Sequence, residues 1–414
     1  MRALVVLAVA AAIASSSAAC TTDRPEAATT SPRPVPTLTP EFAGKPTLEP
    51  PDMSDGGPGS LIEVTPLKNQ NYFDQVDATA VRVVYRSTRG LDGESSEVSG
   101  VVAVPAGKPP KGGWPILSFG HAVTGLSSAC APSLADDVAG YAPIIAVMLS
   151  RGYVVALSDY EGLGMVGNRH SVIDTATLGN NVVDAVRAAR RVVPSASNRW
   201  ATLGFGEGGQ AAWSANERAV SYGSGLELVG SVALAPLVDS TGLVDAAMSG
   251  NLIGEQYRLF AQVLDGAAAE DPTLDLDAYR SGLVRDRWSD LVNCGADATA
   301  MANTLGSLRP GDLRPPNGAA AAKLRALLAR HALPGPGGLA APLLVVYGTE
   351  DPLISKAWVI PSLQRACGKG DVLEIRPQIG ASSIESDQIL QSSLDWLQAR
   401  FDGQKLGDVC GAAA

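Results

Sequence analysis

Four glycines fall within seven residues, Leu203-Gly204-Phe205-Gly206-Glu207-Gly208-Gly209, and this run limits the fold more than any other stretch of the 414-residue chain. It follows the apolar segment Ala201 to Phe205 and precedes an Ala-rich stretch from about Gln210. A strand-like run, a glycine turn and a helical run in that order make one strand–turn–helix unit, and the small residues let the helix pack close to the strand. Other short apolar runs read as strands: Val81 to Tyr85, Val98 to Val104, Pro115 to Phe119, Tyr153 to Leu157, Val229 to Leu234 and Leu343 to Tyr347. Between two of them, Val183, Ala185, Val186 and Ala189 recur at helical spacing. Strands alternating with helices predict an α/β fold, a mostly parallel sheet flanked by helices.

The alternation lapses between Pro236 and about Leu339, where Gln256 to Leu264 and Lys323 to Leu333 look helical. The spacing therefore predicts a helical cap, residues 236–339, inserted over the sheet edge where ligands bind in such folds. The sheet domain is then residues 61–235 and 340–411. Residues 1–19 read as an export signal: Arg2, an apolar core from Ala3 to Ala14, and Ser17-Ala18-Ala19 before the cut. Those small residues and Cys20 resemble a bacterial lipobox, although Ser17 stands where Leu is usual. The resemblance implies a lipid anchor at Cys20 on the outer face of the cytoplasmic membrane, with plain secretion as the alternative. Residues 20–60, rich in Pro, Thr, Ser and Gly, read as a tether.

A net charge of −10 argues against nucleic acid as a partner. Cys130, Cys294, Cys367 and Cys410 are even in number and far apart, which in an oxidising compartment reads as two disulfides. No pair has zinc-site spacing, so neither a metal nor another cofactor is expected.

The glycine run has the setting of a G-x-S-x-G elbow, in which a nucleophilic serine sits on a sharp strand-to-helix turn; here Gly206 occupies the serine position. A plain glycine turn or a nucleotide loop is the competing reading. The run lacks G-x-G-x-x-G spacing and does not lie in the first βα unit. Neighbouring motifs decide between them. His121 with Thr124-Gly125, Cys130-Ala131-Pro132-Ser133, Ser158-Asp159-Tyr160-Glu161-Gly162-Leu163-Gly164, Asp184-Ala185-Val186-Arg187, Tyr347-Gly348-Thr349-Glu350-Asp351 and Trp396-Leu397-Gln398-Ala399-Arg400-Phe401 together resemble the bacterial secretory lipase family. The resemblance covers roughly residues 60–411. It implies the α/β-hydrolase fold with a cap, action on triacylglycerols and other carboxylic esters, and the pairings Cys130–Cys294 and Cys367–Cys410.

It also implies a Ser, Asp and His triad in that chain order. Asp351 matches the acid position, with turn capping as its other reading. Ser382 is the best match for the histidine position. The three histidines are His121, His170 and His331, all upstream of Asp351. His121 and Ala122 match the oxyanion loop, where Gly is usual after the histidine, and the backbone N–H of Glu207 matches the second oxyanion donor. The Glu207 carboxylate reads as favourable at a helix N-terminus. His170 reads as a surface loop residue, and His331 as lying on a cap-helix face.

Losing the nucleophile or the base of a triad costs about a millionfold in turnover. The sequence therefore predicts a non-catalytic protein with a lipase-shaped pocket for a lipid or ester ligand. A working esterase with an unorthodox site and an envelope scaffold are the alternatives. Glycine at position 206 would relax a turn no longer needed for chemistry.

Overall fold

The computed structural model describes residues 44–167, 169–380, 386–406 and 410. The export signal, Cys20, the tether up to residue 43, and Ser382 lie outside the described residues.

Nine strands form one sheet: β1 (Leu61–Pro66), β2 (Thr79–Thr88), β3 (Ser95–Val104), β4 (Trp114–Gly120), β5 (Val154–Ser158), β6 (Ala196–Phe205), β7 (Glu227–Leu234), β8 (Leu343–Gly348) and β9 (Leu373–Gln378). Their order is β1-β2-β3-β5-β4-β6-β7-β8-β9. Pairings from β1 to β5 are antiparallel. From β5 through β9 they are parallel. All seven strands read from the sequence are present. The two it missed, β1 and β9, are the sheet margins, where few residues are buried (Leu61 in β1, Leu373 and Ile375 in β9) and the apolar run is diluted.

Alternation within the central strands divides the core. Leu117, Phe119, Val155, Leu157, Leu203 and Phe205 face the helices Ala142–Ser150 and Asp387–Phe401. Ile116, Val154, Ala156 and Trp200 face the helix Thr175–Val192 and part of the helix Glu207–Ala219. Burying such aliphatic and aromatic side chains contributes about 1.5–3 kcal/mol each, which fixes the strand register and so the position of every loop at the sheet's carboxyl edge.

Between β7 and β8 the chain forms six helices, from Thr241–Ser249 to Gly318–Ala329, with Gln256–Glu270 the longest. Leu259, Phe260, Val263 and Leu264 of that helix share one core with Leu237, Val345 and Tyr347 near the sheet edge. Cys130 and Cys294 are disulfide-bonded, joining the loop after β4 to this insertion. Cys367 and Cys410 are disulfide-bonded as well.

The tether boundary needs correction. The Asp52 N–H donates to Arg191 O, Arg191 donates to the Asp52 carboxylate and Ser54 O, and Thr79 Oγ1 donates to Pro46 O. Low hydrophobicity concealed this docking because mostly polar contacts hold residues 46–60 to the body, with Leu48 the apolar side chain packed on the core and Ser60 buried at the segment's end.

Candidate functional site

Strands β4 and β6 run parallel with Gly120 beside Gly204, and the elbow helix Glu207–Ala219 starts directly above them. A Cβ on Gly204 would fall 2.2 Å from Gly208 O, and one on Gly208 would fall 2.1 Å from Gly120 O. Glycine is required at both places because backbone packs on backbone, which is the spacing an elbow demands. Gly206 between them has φ 57° and ψ −113°. The turn thus keeps a sharp, left-sided conformation that a side chain rarely adopts. Glycine holds this bend without the strain a side chain would bring. A Cβ there would meet only Ala122 Cβ, at 3.5 Å.

Gly206, Glu207, Ala122 and Val123 line one cavity of about 150 Å³. Leu237 from the end of β7, Leu259 and Arg258 from the cap, and Leu353 and Ile354 from the loop after β8 complete most of its wall. The structure therefore brings together Gly206, Glu207, Ala122 and the loop carrying Asp351, four positions the resemblance picked out. The Ala122 N–H donates to Tyr141 Oη at 3.0 Å.

Asp351 follows β8, where the acid position belongs, and its carboxylate is engaged locally. Oδ1 accepts from the N–H groups of Leu353 at 2.8 Å and Ile354 at 2.9 Å. This is the turn-capping role, and it shapes the two apolar residues that reach the cavity. The Glu350 N–H donates to Gly380 O, so the chain leaving β9 toward residue 382 starts beside this turn.

His121 is fully buried. Its Nδ1 lies 2.7 Å from Ala122 O and its Nε2 3.3 Å from Asp159 O. Burial lowers its pKa, against the pull of Glu207 and of the bond to Ala122 O. A neutral imidazole has one N–H, and we assign it to the shorter contact at Nδ1. This ring braces the loop backbone.

His170 is the principal correction. It is 3% exposed, and its Nε2 lies 2.6 Å from Glu207 Oε1, itself in a residue 2% exposed. Nδ1 lies 3.0 Å from Glu161 O. A carbonyl only accepts, so Nδ1 carries hydrogen. Nε2 and Oε1 then share one proton, and the pair is neutral overall. Burial works to lower the His170 pKa, but the Glu207 carboxylate, its hydrogen bond and the Glu161 carbonyl together raise it above the ordinary value. This favours imidazolium with carboxylate. The Glu207 charge is thus answered by a histidine from the loop after β5, not only by the helix dipole. Tyr160, at φ 71°, lies between the two rings, 4.4 Å from His121 and 5.7 Å from His170 between centroids. Loop glycines around position 167 suggested exposure, whereas the apolar Val172-Ile173 just downstream was the signal that the chain turns inward.

His331 also departs from expectation. The helix ends at Ala329, and the ring in the following turn pairs with Glu270 at 2.5 Å.

The model of the secretory lipase family matches residues 138–299, from the approach to β5 through the elbow into the cap. A probable inactive lipase of Mycobacterium tuberculosis is 30% identical over 174 residues, which are 39% of this chain and 37% of that protein. The match thus spans little more than a third of that relative's length. Candida antarctica lipase A in its closed state is similar over 90% of this chain and 87% of its own, with TM-score 0.70 and 18% identity. The rice cell wall degrading esterase LipA of Xanthomonas oryzae is similar over 84% of this chain and all of its own, with TM-score 0.66 and 18% identity. At such identities the likeness establishes the α/β-hydrolase fold.

Proposed function

We propose that this relative of the secretory lipases is a non-hydrolytic binding protein, exported and tethered through Cys20, whose elbow cavity holds a lipid or ester ligand. One observation carries the reading: the elbow bend is intact at φ 57°, yet Gly206 presents no nucleophile to the cavity it lines. Acyl transfer needs a hydroxyl or thiol and a base within hydrogen-bond reach of it. The two buried histidines near the elbow are engaged elsewhere, His121 with backbone carbonyls and His170 with Glu207 and Glu161. The walls suit an acyl group, since Val123, Leu237, Leu259, Leu353 and Ile354 converge on the bend.

The test treats purified protein with a fluorophosphonate probe and a short-chain chromogenic ester, with Gly206→Ala as control. The expected result is no labelling and no turnover above the control. Covalent labelling, or hydrolysis that the control lacks, would overturn the non-hydrolytic reading. Native mass spectrometry should show a co-purified or added lipid retained by the protein.

A further inference from the structure

The cap helix Gln256–Glu270 turns one face toward the elbow cavity, and Arg258 and Gln262 stand four residues apart on that face. Gln262 is 3% exposed, yet its side-chain amide makes no hydrogen bond among the described residues. Neither polar atom of that amide is sealed off, and the opening they face is the cavity. A buried amide left this way is costly until a partner reaches it. Arg258 is half-buried and has no carboxylate partner among the described residues. Two of its N–H groups donate, at 3.4 Å each, to Leu291 O and Asn293 O. A guanidinium has further donors to give and keeps its charge throughout.

We propose that the elbow cavity takes an apolar molecule ending in an ionised carboxylate, held by Arg258 and by the Gln262 amide N–H. This rests on the reading of that cavity as a ligand site, and names the head group it selects. The other charges at the cavity leave Arg258 unanswered. Glu255 is exposed at the rim, where water screens it, and it forms no ion pair among the described residues. The Glu207 carboxylate is shut away from the cavity and neutralised by His170. A neutral ester carbonyl accepts from Gln262 but leaves the guanidinium without a counter-charge. An ammonium meets Arg258 as a like charge. The tail has Leu237, Leu353 and Ile354 to lie against. A void of this size, about 150 Å³, takes a molecule of about six carbons.

Hexanoate and methyl pentanoate make the test, because they have the same carbons and oxygens and differ in charge. Dissociation constants are measured at neutral pH on the unaltered protein by NMR shift titration, following the Gly206 N–H and the Gln262 side-chain amide, with hexylammonium as the cationic control. The same titrations are run on Arg258→Met and Gln262→Leu. Hexanoate is expected to bind about tenfold or more tightly than the ester, the worth of one hydrogen bond to a charged group. Hexylammonium should bind more weakly than the ester. Arg258→Met should remove the preference for hexanoate. Gln262→Leu should weaken both hexanoate and the ester, since each accepts from the amide, and keep the preference. Equal affinities for hexanoate and the ester in the unaltered protein, or a preference for hexylammonium, would overturn the carboxylate assignment and leave the cavity a ligand site. Binding of none of the three would overturn both. A preference that survives Arg258→Met would overturn the role given to that side chain. The comparison on unaltered protein does not depend on how either variant folds.

Discussion

His170 Nε2 lies 2.6 Å from Glu207 Oε1, so a loop residue that follows β5 and the first residue of the elbow helix form one buried ion pair. Both side chains are almost wholly shielded from water. Removing one partner leaves an uncompensated buried group, which typically costs about 3–5 kcal/mol. His170→Phe is expected to lose that much stability, and Glu207→Gln markedly less because it can still bond the ring. Urea denaturation midpoints at constant slope measure both.

The same pair gives stability a pH dependence. The His170 pKa is raised in the folded state, so its contribution is complete below the unfolded histidine value of 6.5 and is lost as pH rises through the folded value. His121, its pKa lowered by burial, has the opposite slope and loses stability as pH falls below 6.5. The stability gap between the unaltered protein and His170→Gln should therefore narrow as pH rises from 6.5 through the raised folded value. A gap that widens over that range would contradict the assigned ion pair.

Glu217 supplies a second, separable slope. Burial raises its pKa from 4.5 to about 7, against the Gly335 N–H and Lys369, which act to lower it. Between those values the folded protein holds a proton that the unfolded chain has released, so stability falls as pH rises across the window. Glu217→Gln should remove this part of the decline while keeping an acceptor for the Gly335 N–H. Thermal midpoints measured across the window for the two proteins decide it.

Gly206→Ser restores the hydroxyl to the elbow and nothing else. The added Cβ has room, so the cost is conformational: about 1–3 kcal/mol for a side chain held at positive φ. The variant is expected to melt earlier than the unaltered protein and to remain inactive on esters, because neither nearby buried histidine is available as a base. A more stable variant would mean that the bend carries no strain.

The central strands were legible because parallel strands buried on both faces write themselves as unbroken apolar runs, as in Leu343 to Tyr347. The elbow was legible through Gly204 and Gly208, whose hydrogen side chains are imposed by backbone contact. His170 was not. Its pairing is set by where the loop after β5 lands, 37 residues before Glu207 in the chain, and local pattern carries no record of that meeting. Asp351 was readable in place but not in deed, since an acid position and a turn cap have the same local sequence.

Cys130 sits on the loop that also brings Ala122 and Val123 to the elbow, and its partner Cys294 belongs to the insertion above. One corner of that roof is therefore riveted to the floor. Across the same cavity the Gln256 side-chain amide donates to Leu353 O, so the roof is held at two corners, by sulfur at one and by a single hydrogen bond at the other. Breaking the sulfur link alone would leave the insertion seated on the core it shares with the sheet edge.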